Sequence, residues 1–372
     1  MAPTIYYILP TTAIGGAEKR FIELWCHLQQ QQQLSLRLIV TQQLLHAIES
    51  NAILAQQIQP FAHHIIPYSI SQTATAFQFQ KQLYAFICAH TTRNDILHFI
   101  LLYPAFSVAL RHRNTIYSLT ESSLQNVNIK GRLLYWLSAY KSNLVDVLDP
   151  AVYATMCARL WFKKKQIHHT PGSFVNTSIF TPAINKQPQF VFLGRFFYVK
   201  QVVKLMQLLP AICQQIDAAN TGVPHYSFLF IGYGQQEAEL KAIANLPTHT
   251  ALPITITMSN QPQTELAKSS VLFSLQLRNN YPSKSLLEGL AAGNLAIVTD
   301  VGNTRTIAQP AFSYYVPENF SATDIATHLI SILTLSPQQK VEKMAAARQF
   351  VQTHCSITAS LLYYTNLYKK LV

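Results

Sequence analysis

Residues 279–300 are the stretch that decides the fold, and they read NNYPSKSLLEGLAAGNLAIVTD. An apolar strand is predicted at 271–275, before this stretch, and another at 295–298, within it. Between them, leucines at helical spacing predict a short helix that stops at Gly293, a residue type that often ends helices in the left-handed conformation. These leucines are Leu286, Leu287 and Leu290.

The N-terminus of this short helix is the first candidate site. Pro282 ends the preceding loop, and Ser283 or Ser285 can cap the helix. The N-terminus faces the carboxyl end of a buried strand, where unpaired N–H groups and the helix dipole favour an anion. Lys284 adds a formal positive charge at the same place. The alternative is an ordinary βαβ unit with a capped helix and no ligand.

The composition predicts a folded, basic protein with two domains. The chain has 372 residues, too many for one ordinary core, and 49% of them are hydrophobic. The formal net charge is +12, yet only 12% of the residues are charged, so the positive field is sparse. Such a field suits nucleotide phosphates, anionic lipid headgroups or nucleic acid and does not choose between them.

The cysteines and the apolar runs bear on the compartment. The five cysteines are scattered without a CxxC pair, which predicts buried thiols in a reducing compartment and neither a disulfide frame nor a metal site. No secretory signal is predicted, because the apolar run Ile5–Leu9 is short and lacks a basic lead. The longest apolar run, 96–110, falls short of the roughly 20 residues of a membrane span. We therefore expect a cytoplasmic protein, either soluble or peripheral at the inner face of the membrane.

Strands and helices alternate along both halves of the chain. In the first half the predicted strands are 5–9, 34–40, 95–99, 115–119, 144–148 and one near 167, and the predicted helices are 17–32, a Gln-rich stretch after 40, 76–90, 105–111, 127–141 and 151–164. In the second half the further strands are 189–193, 228–231, 253–258 and 312–316, and the further helices are 201–216, 236–244, 263–268, 322–335, 337–353 and 356–371. This order predicts an α/β fold with two doubly wound domains, parallel sheets and helices on both faces.

The stretch 170–188 is predicted to connect the two domains, because it is rich in proline and no long apolar period crosses it. The expected domains are 1–180 and 181–354. A C-terminal helix at 355–372 is expected to pack back toward the first domain. The cleft between the domains is the default binding site.

Loops at strand ends supply the candidate phosphate-binding residues. Gly15 and Gly16 follow the first strand and open a helix, so a ligand can approach the backbone closely, although a plain tight turn is the simpler explanation. Arg195 leaves a strand end and Lys200 starts the next helix, so a planar fork and a point charge can converge on one diphosphate. Two solvated loop cations are the alternative. Gly232 lies in a Gly-Tyr-Gly loop that lacks the full dinucleotide fingerprint. Glu288 can accept hydrogen bonds from a ribose diol or can offset the helix dipole.

Taken in order, these pieces resemble a retaining GT-B glycosyltransferase of glycosyltransferase family 4, which uses nucleotide-sugar donors. The resemblance spans nearly the whole chain. It rests on GGAE at 15–18, DILH at 95–98, PGSFVNT at 171–177, Gly-Arg at 194–195 with Lys200, IGYG at 231–234, and the block from Asn280 to Gly293 with DVG at 300–302. It implies two Rossmann-like domains that face each other across a cleft, the first on the acceptor side and the second binding the nucleotide sugar.

The resemblance also implies roles for single residues. Gly15 and Gly16 would touch the donor phosphates or sugar through their backbone. Arg195 and Lys200 would bind the pyrophosphate and stabilise the departing nucleoside diphosphate. Glu288 would hold the ribose hydroxyls. The remaining donor-binding set comprises Gly232 and the backbone around Ser283, Lys284, Ser285, Leu286 and Leu287. No metal or other cofactor is expected, and the reaction would be a same-face substitution without an enzymic nucleophile.

Three positions bear on catalysis and the acceptor. The family usually has two glutamates separated by seven residues, and here the partner of Glu288 is Asn280, which can hydrogen-bond a sugar hydroxyl but has no charge. The family often has a histidine on the strand near residue 100. Either His98 fills this role, or the aligned residue is Ile100 and the histidine is missing; a packed core histidine is the other interpretation of His98. Glu121 is a candidate on the acceptor side, with helix capping as the simpler explanation.

The acceptor is expected to be a glycan or lipid-linked molecule, since many relatives act on such molecules at a membrane surface. Two stretches could contact an anionic membrane. One is WFKKK at 161–165; the other is a basic amphipathic helix with Lys130, Arg132, Trp136, Lys141, Leu133, Leu134 and Leu137. A helix packed on its own sheet with solvated lysines is the alternative.

The predicted function is transfer of a sugar from a nucleoside-diphosphate-sugar to that acceptor with retention, in cell-surface polysaccharide or lipopolysaccharide biosynthesis. Asn280 and Ile100 motivate an alternative, a catalytically weak sugar-nucleotide binding or scaffold protein with the same fold. No nucleic-acid partner is expected, because the sequence lacks a basic platform interleaved with aromatics and any recognisable reading motif.

Overall fold

A computed structural model describes residues 3–69, 76–100, 114–120, 129–223 and 225–371. The chain divides into two compact units. The first comprises Met1–Ser173 together with Ile357–Val372, and the second is Phe174–Ser356. The first unit is therefore discontinuous in sequence, and its first segment ends before the boundary expected at 180.

The first unit contains a parallel sheet flanked by helices. Its described strands are β1 (Ile5–Leu9), β2 (Leu36–Thr41), β3 (Ile65–Tyr68), β4 (Ile96–Ile100), β5 (Thr115–Leu119), β6 (Leu144–Val147) and β7 (Ile167–His169). They lie in the order β3-β2-β1-β4-β5-β6-β7, and each pairs in parallel with its neighbours. The described helices are α1 (Gly16–Gln30), α2 (Gln42–Glu49), α3 (Ala52–Ile58), α4 (Ala76–His90), α5 (Ile129–Lys141) and α6 (Pro150–Arg159), with 3-10 helices at Gln59–His64 and Trp161–Gln166.

The second unit repeats this architecture. Its described strands are β8 (Gln187–Leu193), β9 (Ser227–Ile231), β10 (Ile254–Thr257), β11 (Ser269–Ser274), β12 (Leu295–Thr299) and β13 (Ser313–Val316), in the order β10-β9-β8-β11-β12-β13. The helices are α7 (Val202–Ala218), α8 (Glu237–Ala244), α9 (Pro262–Lys268), α10 (Lys284–Ala291), α11 (Ala322–Leu333) and α12 (Pro337–His354), with 3-10 helices at Tyr198–Lys200 and Thr304–Thr306. A last helix, α13 (Ile357–Lys369), belongs to the first unit.

Burial explains why the strands read as continuous apolar runs. Every residue of β1, β4, β5 and β12 is buried. Helices cover both faces of a parallel sheet, so its strands carry apolar side chains on both sides and do not alternate with polar ones. The predicted α/β fold with parallel sheets is confirmed.

Gly293 ends α10 as the sequence predicts. Its φ is 74°, in the left-handed region. Its N–H donates to the carbonyl of Leu290, and the N–H of Asn294 donates to the carbonyl of Gly289, both at 2.9 Å. This pair of bonds is the Schellman arrangement, which satisfies carbonyls that the end of a helix would otherwise leave open.

One strand was not predicted, one predicted helix ends early, and two predictions fall wholly or partly outside the described residues. β3 was not predicted because it contains Pro67, which cannot donate to a sheet; β3 lies at the sheet edge, where proline is tolerated. The helix predicted at 151–164 ends at Arg159, and a separate 3-10 helix follows the non-helical backbone of Leu160. The helix predicted at 105–111 and the start of the one at 127–141 lie outside the described residues.

The loops that follow β8 and β9 are in direct backbone contact. The N–H of Gly194 donates to the carbonyl of Ile231 at 3.0 Å, and the N–H of Phe196 donates to the carbonyl of Tyr233 at 2.7 Å. A Cβ atom built on Gly232 would lie 1.9 Å from the carbonyl oxygen of Gly194. No side chain fits at this distance, so the loop geometry requires glycine at 232.

We expect Gly232→Ala to lower the free energy of unfolding by about 3 kcal/mol or more, because the backbone of one loop must move away from the other. Urea denaturation of the purified protein measures this change. Gly222→Ala is the matched control: a Cβ there meets nothing within 4 Å, and only its positive φ of 73° opposes alanine, so its expected loss is about 1 kcal/mol. Equal losses in the two variants would contradict the steric argument.

Candidate functional site

Arg195 and Lys200 lie at the carboxyl end of β8, on the loop that Gly194 and Gly232 hold in place. The Arg195 guanidinium is exposed and lies 5.0 Å from the centroid of the Phe197 ring. Lys200 ends the 3-10 helix Tyr198–Lys200, and its side chain is partly buried. The predicted placement of both residues between the strand and the next helix is therefore what the structure contains.

The electrostatic surroundings of Lys200 include the charge of Arg195. Burial of the Lys200 amine, followed by the positive charge of Arg195, lowers its pKa from 10.5 to about 8. Arg195 affects this pKa because its charge is close. Bringing like charges together is unfavourable until an anion binds between or beside them. A diphosphate, which pairs with a guanidinium and an ammonium, is the kind of ligand this arrangement suits.

The N-terminus of α10 lies at the carboxyl end of the same sheet, after β11. Ser283 occupies the N-cap position, but its side chain makes no capping hydrogen bond within the described residues. Its hydroxyl oxygen instead lies 3.3 Å from that of Ser285. The expectation that a serine side chain caps this helix is wrong. The consequence is that the amides of the first turn are not blocked by a capping side chain, so they can donate to an anion.

The sequence predicted a Lys284 charge available to an anion, but in the structure the Lys284 ammonium is bound to a backbone carbonyl. Its side chain is 9% exposed, its ammonium donates to the carbonyl of Phe174 at 2.8 Å, and it lies 4.9 Å from the centroid of the Phe174 ring. The charge therefore binds backbone at the start of the second unit. A contact between Lys284 and a donor remains a prediction.

The other predicted residues of α10 are buried. Glu288, the fifth residue of the helix, is only 4% exposed. Leu286 and Leu287 pack in the core of the second unit, so only their backbone could contact a ligand. Asn280 is partly exposed in the loop before the helix. The neighbouring Asn279 side chain accepts a hydrogen bond from the N–H of Asn303 at 3.2 Å, which ties this loop to the one after β12.

In the first unit, Gly15 and Gly16 lie where β1 leads into α1. Gly15 is the N-cap residue, and its N–H donates to the Glu18 carboxylate at 2.9 Å. The Gly15 amide therefore already has a hydrogen-bond partner in the first turn of α1. The backbone contact of Gly15 and Gly16 with a donor stays a prediction. Glu121 lies outside the described residues.

His98 is fully buried in the middle of β4. Nδ1 lies 2.9 Å from the Tyr368 hydroxyl and Nε2 lies 2.7 Å from the Ser118 hydroxyl. Burial lowers the pKa of His98 to about 3, with the Asp146 charge opposing this shift and Arg20 adding to it. A neutral imidazole with both nitrogens hydrogen-bonded matches the core-histidine interpretation. A catalytic role for His98 stays a prediction.

A buried hydrogen-bond network around Asp146 was not foreseen. Its carboxylate accepts hydrogen bonds from the hydroxyls of Ser118 at 2.6 Å, Tyr363 at 2.6 Å and Tyr364 at 2.7 Å, and from that of Thr170. Several donors stabilise a buried carboxylate that would otherwise be costly. The sequence signal was the tyrosine pair in α13.

The described parts of the chain contain no cluster of three or more His, Cys, Asp or Glu residues placed to hold a metal ion. Within those same residues, no helix has both the length and the apolar character needed to cross a bilayer.

The comparisons with known proteins concern both the fold and the second unit. Residues 176–349 match the family model "Glycosyl transferases group 1". Among curated proteins no match to this sequence is found. Solved structures with the same fold include a glycosyltransferase from Rickettsia africae, 16% identical with a TM-score of 0.71 over 99% of this chain and 98% of that one.

Two further solved structures extend the comparison. HepE from Anabaena in complex with UDP-glucose is 11% identical, with a TM-score of 0.74 over 98% of this chain and 99% of its own. WaaG, described as a glycosyltransferase involved in lipopolysaccharide biosynthesis, is 12% identical, with a TM-score of 0.66 over 96% and 98%. These likenesses show the GT-B fold. The match at 176–349 to the group 1 glycosyl transferase model lies within the second unit and, together with this fold, supports a glycosyltransferase enzyme.

Proposed function

We propose that this enzyme transfers a sugar from a nucleoside-diphosphate-sugar to a glycan or lipid-linked acceptor with retention of anomeric configuration. We place it at the cytoplasmic face of an anionic membrane, in the synthesis of a cell-surface polysaccharide or lipopolysaccharide. The observation that carries the donor assignment is the position of Arg195 and Lys200 after the carboxyl end of β8, and the lowered pKa of Lys200, about 8 under burial and the Arg195 charge, agrees with it. A diphosphate would relieve the unfavourable interaction of these two charges.

The same end of the sheet supplies the remaining donor contacts in this proposal. Amides in the first turn of α10, from Ser283 to Leu287, would bind phosphate or sugar oxygens. The Glu288 carboxylate would accept hydrogen bonds from the ribose hydroxyls. Asn280 would hydrogen-bond a sugar hydroxyl as a neutral amide. Two side-chain cations and a helix N-terminus neutralise the diphosphate in this arrangement, so we assign no metal to the reaction.

The proposed reaction is a same-face substitution at the anomeric carbon. The bond from this carbon to the phosphate oxygen breaks, and its electron pair leaves with the nucleoside diphosphate. The acceptor hydroxyl oxygen forms the new bond on the same face, and its proton passes to the departing phosphate oxygen. Arg195 and Lys200 stabilise the negative charge that develops on the leaving group in the transition state. This stabilisation lowers the barrier to transfer.

The relatives suggest which donor to test first. HepE binds UDP-glucose, and the WaaG reaction belongs to lipopolysaccharide biosynthesis. Both are 12% identical to this chain or less. We therefore put UDP-sugars at the head of the donor panel and leave the base and the sugar to measurement.

An exposed patch in the first unit supports the membrane part of the proposal. Ile129 and Leu133 on α5 are 78% and 58% exposed, and Trp161 in the following 3-10 helix is 75% exposed. The rings of Tyr140 and Phe162, 6.1 Å apart, join the helix to the 3-10 segment. Arg132, Lys164 and Lys165 are also exposed and lie close to these side chains in sequence. We call this set the interfacial patch.

Lys163 fixes the geometry of the interfacial patch. Its ammonium donates to the carbonyl of Ser142 at 2.9 Å and to that of Tyr140. Burial and the nearby charge of Lys141 lower its pKa. The alternative of a helix packed on its own sheet does not account for the outward Ile129 and Leu133. Apolar and aromatic side chains together with cations suit the headgroup region of an anionic bilayer.

Donor binding is tested by thermal shift with UDP, GDP, ADP, TDP and CMP sugars. At about 100 times its Kd, a ligand adds about 2.7 kcal/mol of stability, so one member of the panel should raise Tm by several degrees. Arg195→Ala combined with Lys200→Ala should abolish this shift. Lys268→Ala is the matched control, because Lys268 is exposed at the amino end of β11, whereas the candidate site lies at the carboxyl ends of the strands.

Turnover is tested separately with the donor that binds. Transfer or slow donor hydrolysis is expected in the unmodified enzyme and should be lost in the double variant. Binding without any turnover across acceptors would support the catalytically weak scaffold instead. An unchanged thermal shift in the double variant would refute the donor site itself.

The pKa of Lys200 predicts a pH dependence of nucleotide binding. If the ammonium form binds the diphosphate, affinity is fully present below pH 8 and decreases as the pH rises through 8. The Kd for UDP should therefore rise about tenfold between pH 7 and pH 9. Isothermal titration should also show proton uptake on binding near pH 8. Lys200→Arg keeps its charge over this range, so the pH dependence should disappear; if it persists, another group is responsible.

Membrane binding is tested by flotation with phosphatidylglycerol vesicles at low salt. Trp161→Ala with Phe162→Ala should weaken binding about tenfold, because two exposed aromatic rings leave the interface. Ile184→Ala removes an exposed apolar side chain from the second unit and should leave binding unchanged. Absence of flotation by the unmodified protein, or equal binding to uncharged phosphatidylcholine, would rule out the membrane assignment.

A further inference from the structure

We propose that the second unit carries a separate binding site for a neutral oligosaccharide, next to the donor site. The site is a pocket of about 560 Å³. Its lining comes from four loops or helix starts that follow β8, β9, β11 and β13: Tyr198, Gln201, Val203, Lys204, Gln207, Gln236, Glu239, Leu277, Glu318 and Asn319. Arg195, Ser283 and Glu288 are not part of this lining, so the pocket is distinct from the proposed diphosphate site.

Gln201 is the residue that points to a ligand. Its side chain is 5% exposed, and its Nε2 has no hydrogen-bond partner among the described residues. Burying an amide N–H without a partner costs free energy of about 1–3 kcal/mol, so such groups in folded proteins are normally satisfied by protein, water or ligand. Gln201 lines the pocket, so its amide is a candidate partner for a ligand bound there.

Gln236 also lines this pocket, and among the residues that the structure describes it lacks a partner for its acceptor atom, whereas Gln201 lacks one for its donor. Its Nε2 donates to the Glu239 carboxylate at 3.1 Å, while its buried Oε1 has no partner within the described part of the chain. Two amides in the pocket lining thus each carry a buried polar atom without a partner among the described residues, a donor on Gln201 and an acceptor on Gln236. A hydroxyl group can satisfy both kinds of partner, since it donates one hydrogen bond and accepts two.

The remaining lining fits a carbohydrate better than an anion. Lys204 is the one cation in it, and its ammonium lies 4.1 Å from the centroid of the Phe320 ring. Glu239 and Glu318 outweigh that charge, so a phosphate or carboxylate ligand would be repelled. Amides such as Asn319 and the two carboxylates pair with neutral hydroxyls. The Tyr198 ring, 73% exposed, offers an apolar face to the C–H side of a sugar.

The placement of the pocket connects it to the chemistry. Tyr198 and Gln201 flank Lys200 in sequence. Lys204 and Gln207 follow on α7, three residues apart and hence on one face of that helix. A glycan segment bound here would lie beside the donor, as a growing acceptor or product chain requires. The binding itself needs no donor and no turnover, so it stands or falls independently of the proposed transfer reaction.

Binding is measured by isothermal titration and saturation-transfer NMR without nucleotide, using maltotriose, cellotriose, laminaritriose and chitotriose. At least one trisaccharide should bind with a Kd of about 1 mM, a typical strength for a few hydrogen bonds. Tyr198→Ala should weaken it about fivefold, and Gln201→Asn by a similar factor, the size expected for one lost contact. Asparagine tolerates the left-handed backbone of Gln201, whose φ is 52°, so this variant withdraws the amide without disturbing the helix start.

Two control variants complete the experiment. Tyr233→Ala removes another exposed tyrosine of the same unit, outside the lining, and should leave trisaccharide binding unchanged. Arg195→Ala should remove nucleotide binding and keep trisaccharide binding. If no trisaccharide binds at about 20 mM, or if binding survives both Tyr198→Ala and Gln201→Asn, the proposal is wrong. Loss of trisaccharide binding in Arg195→Ala would place the sugar in the donor site and would equally overturn a separate pocket.

Discussion

The close approach of Gly194 and Gly232 is the constraint on which the second unit depends. A side chain at 232 would overlap the carbonyl of Gly194, so two loops that end neighbouring strands are joined through their backbones. This junction fixes where Arg195 leaves the sheet and where the 3-10 helix Tyr198–Lys200 begins. The diphosphate site and the adjoining pocket both start from that helix. The missing side chain at Gly232 therefore helps to determine the positions of Arg195 and Lys200.

The fold was largely predictable because its signal is local. Apolar runs of strand length separated by amphipathic helices can bury their surfaces only as parallel sheets with helices on both faces. The sequence-based predictions failed where the position of a residue in the fold outweighed its local preference for strand or helix. Pro67 argues against a strand, yet β3 lies at an edge and loses no required donor. Leu160 continues the apolar pattern of α6, yet its backbone leaves the helix there.

The position of Arg195 and Lys200 was predictable from the sequence, but the lowered pKa of Lys200 was not. The spacing of Gly194, Arg195 and Lys200 indicated two cations at a strand end, and the structure contains them there. The lowered pKa of Lys200 depends on burial by surrounding segments, such as the one in which Leu277 donates its N–H to the carbonyl of Val199, and spacing alone cannot reveal it. Lys284 illustrates the same limit: its sequence position suits an anion, while tertiary packing gives its ammonium to the carbonyl of Phe174.

Asp146 has a consequence for the order in which the chain can fold as it is synthesised. Two of its donors, Ser118 and Thr170, are near it in sequence, but Tyr363 and Tyr364 come from α13, more than two hundred residues later. Until α13 is synthesised, the Asp146 carboxylate therefore lacks two of its four described donors. This network is completed only after the whole second unit has been made, because long-range contacts need the intervening chain.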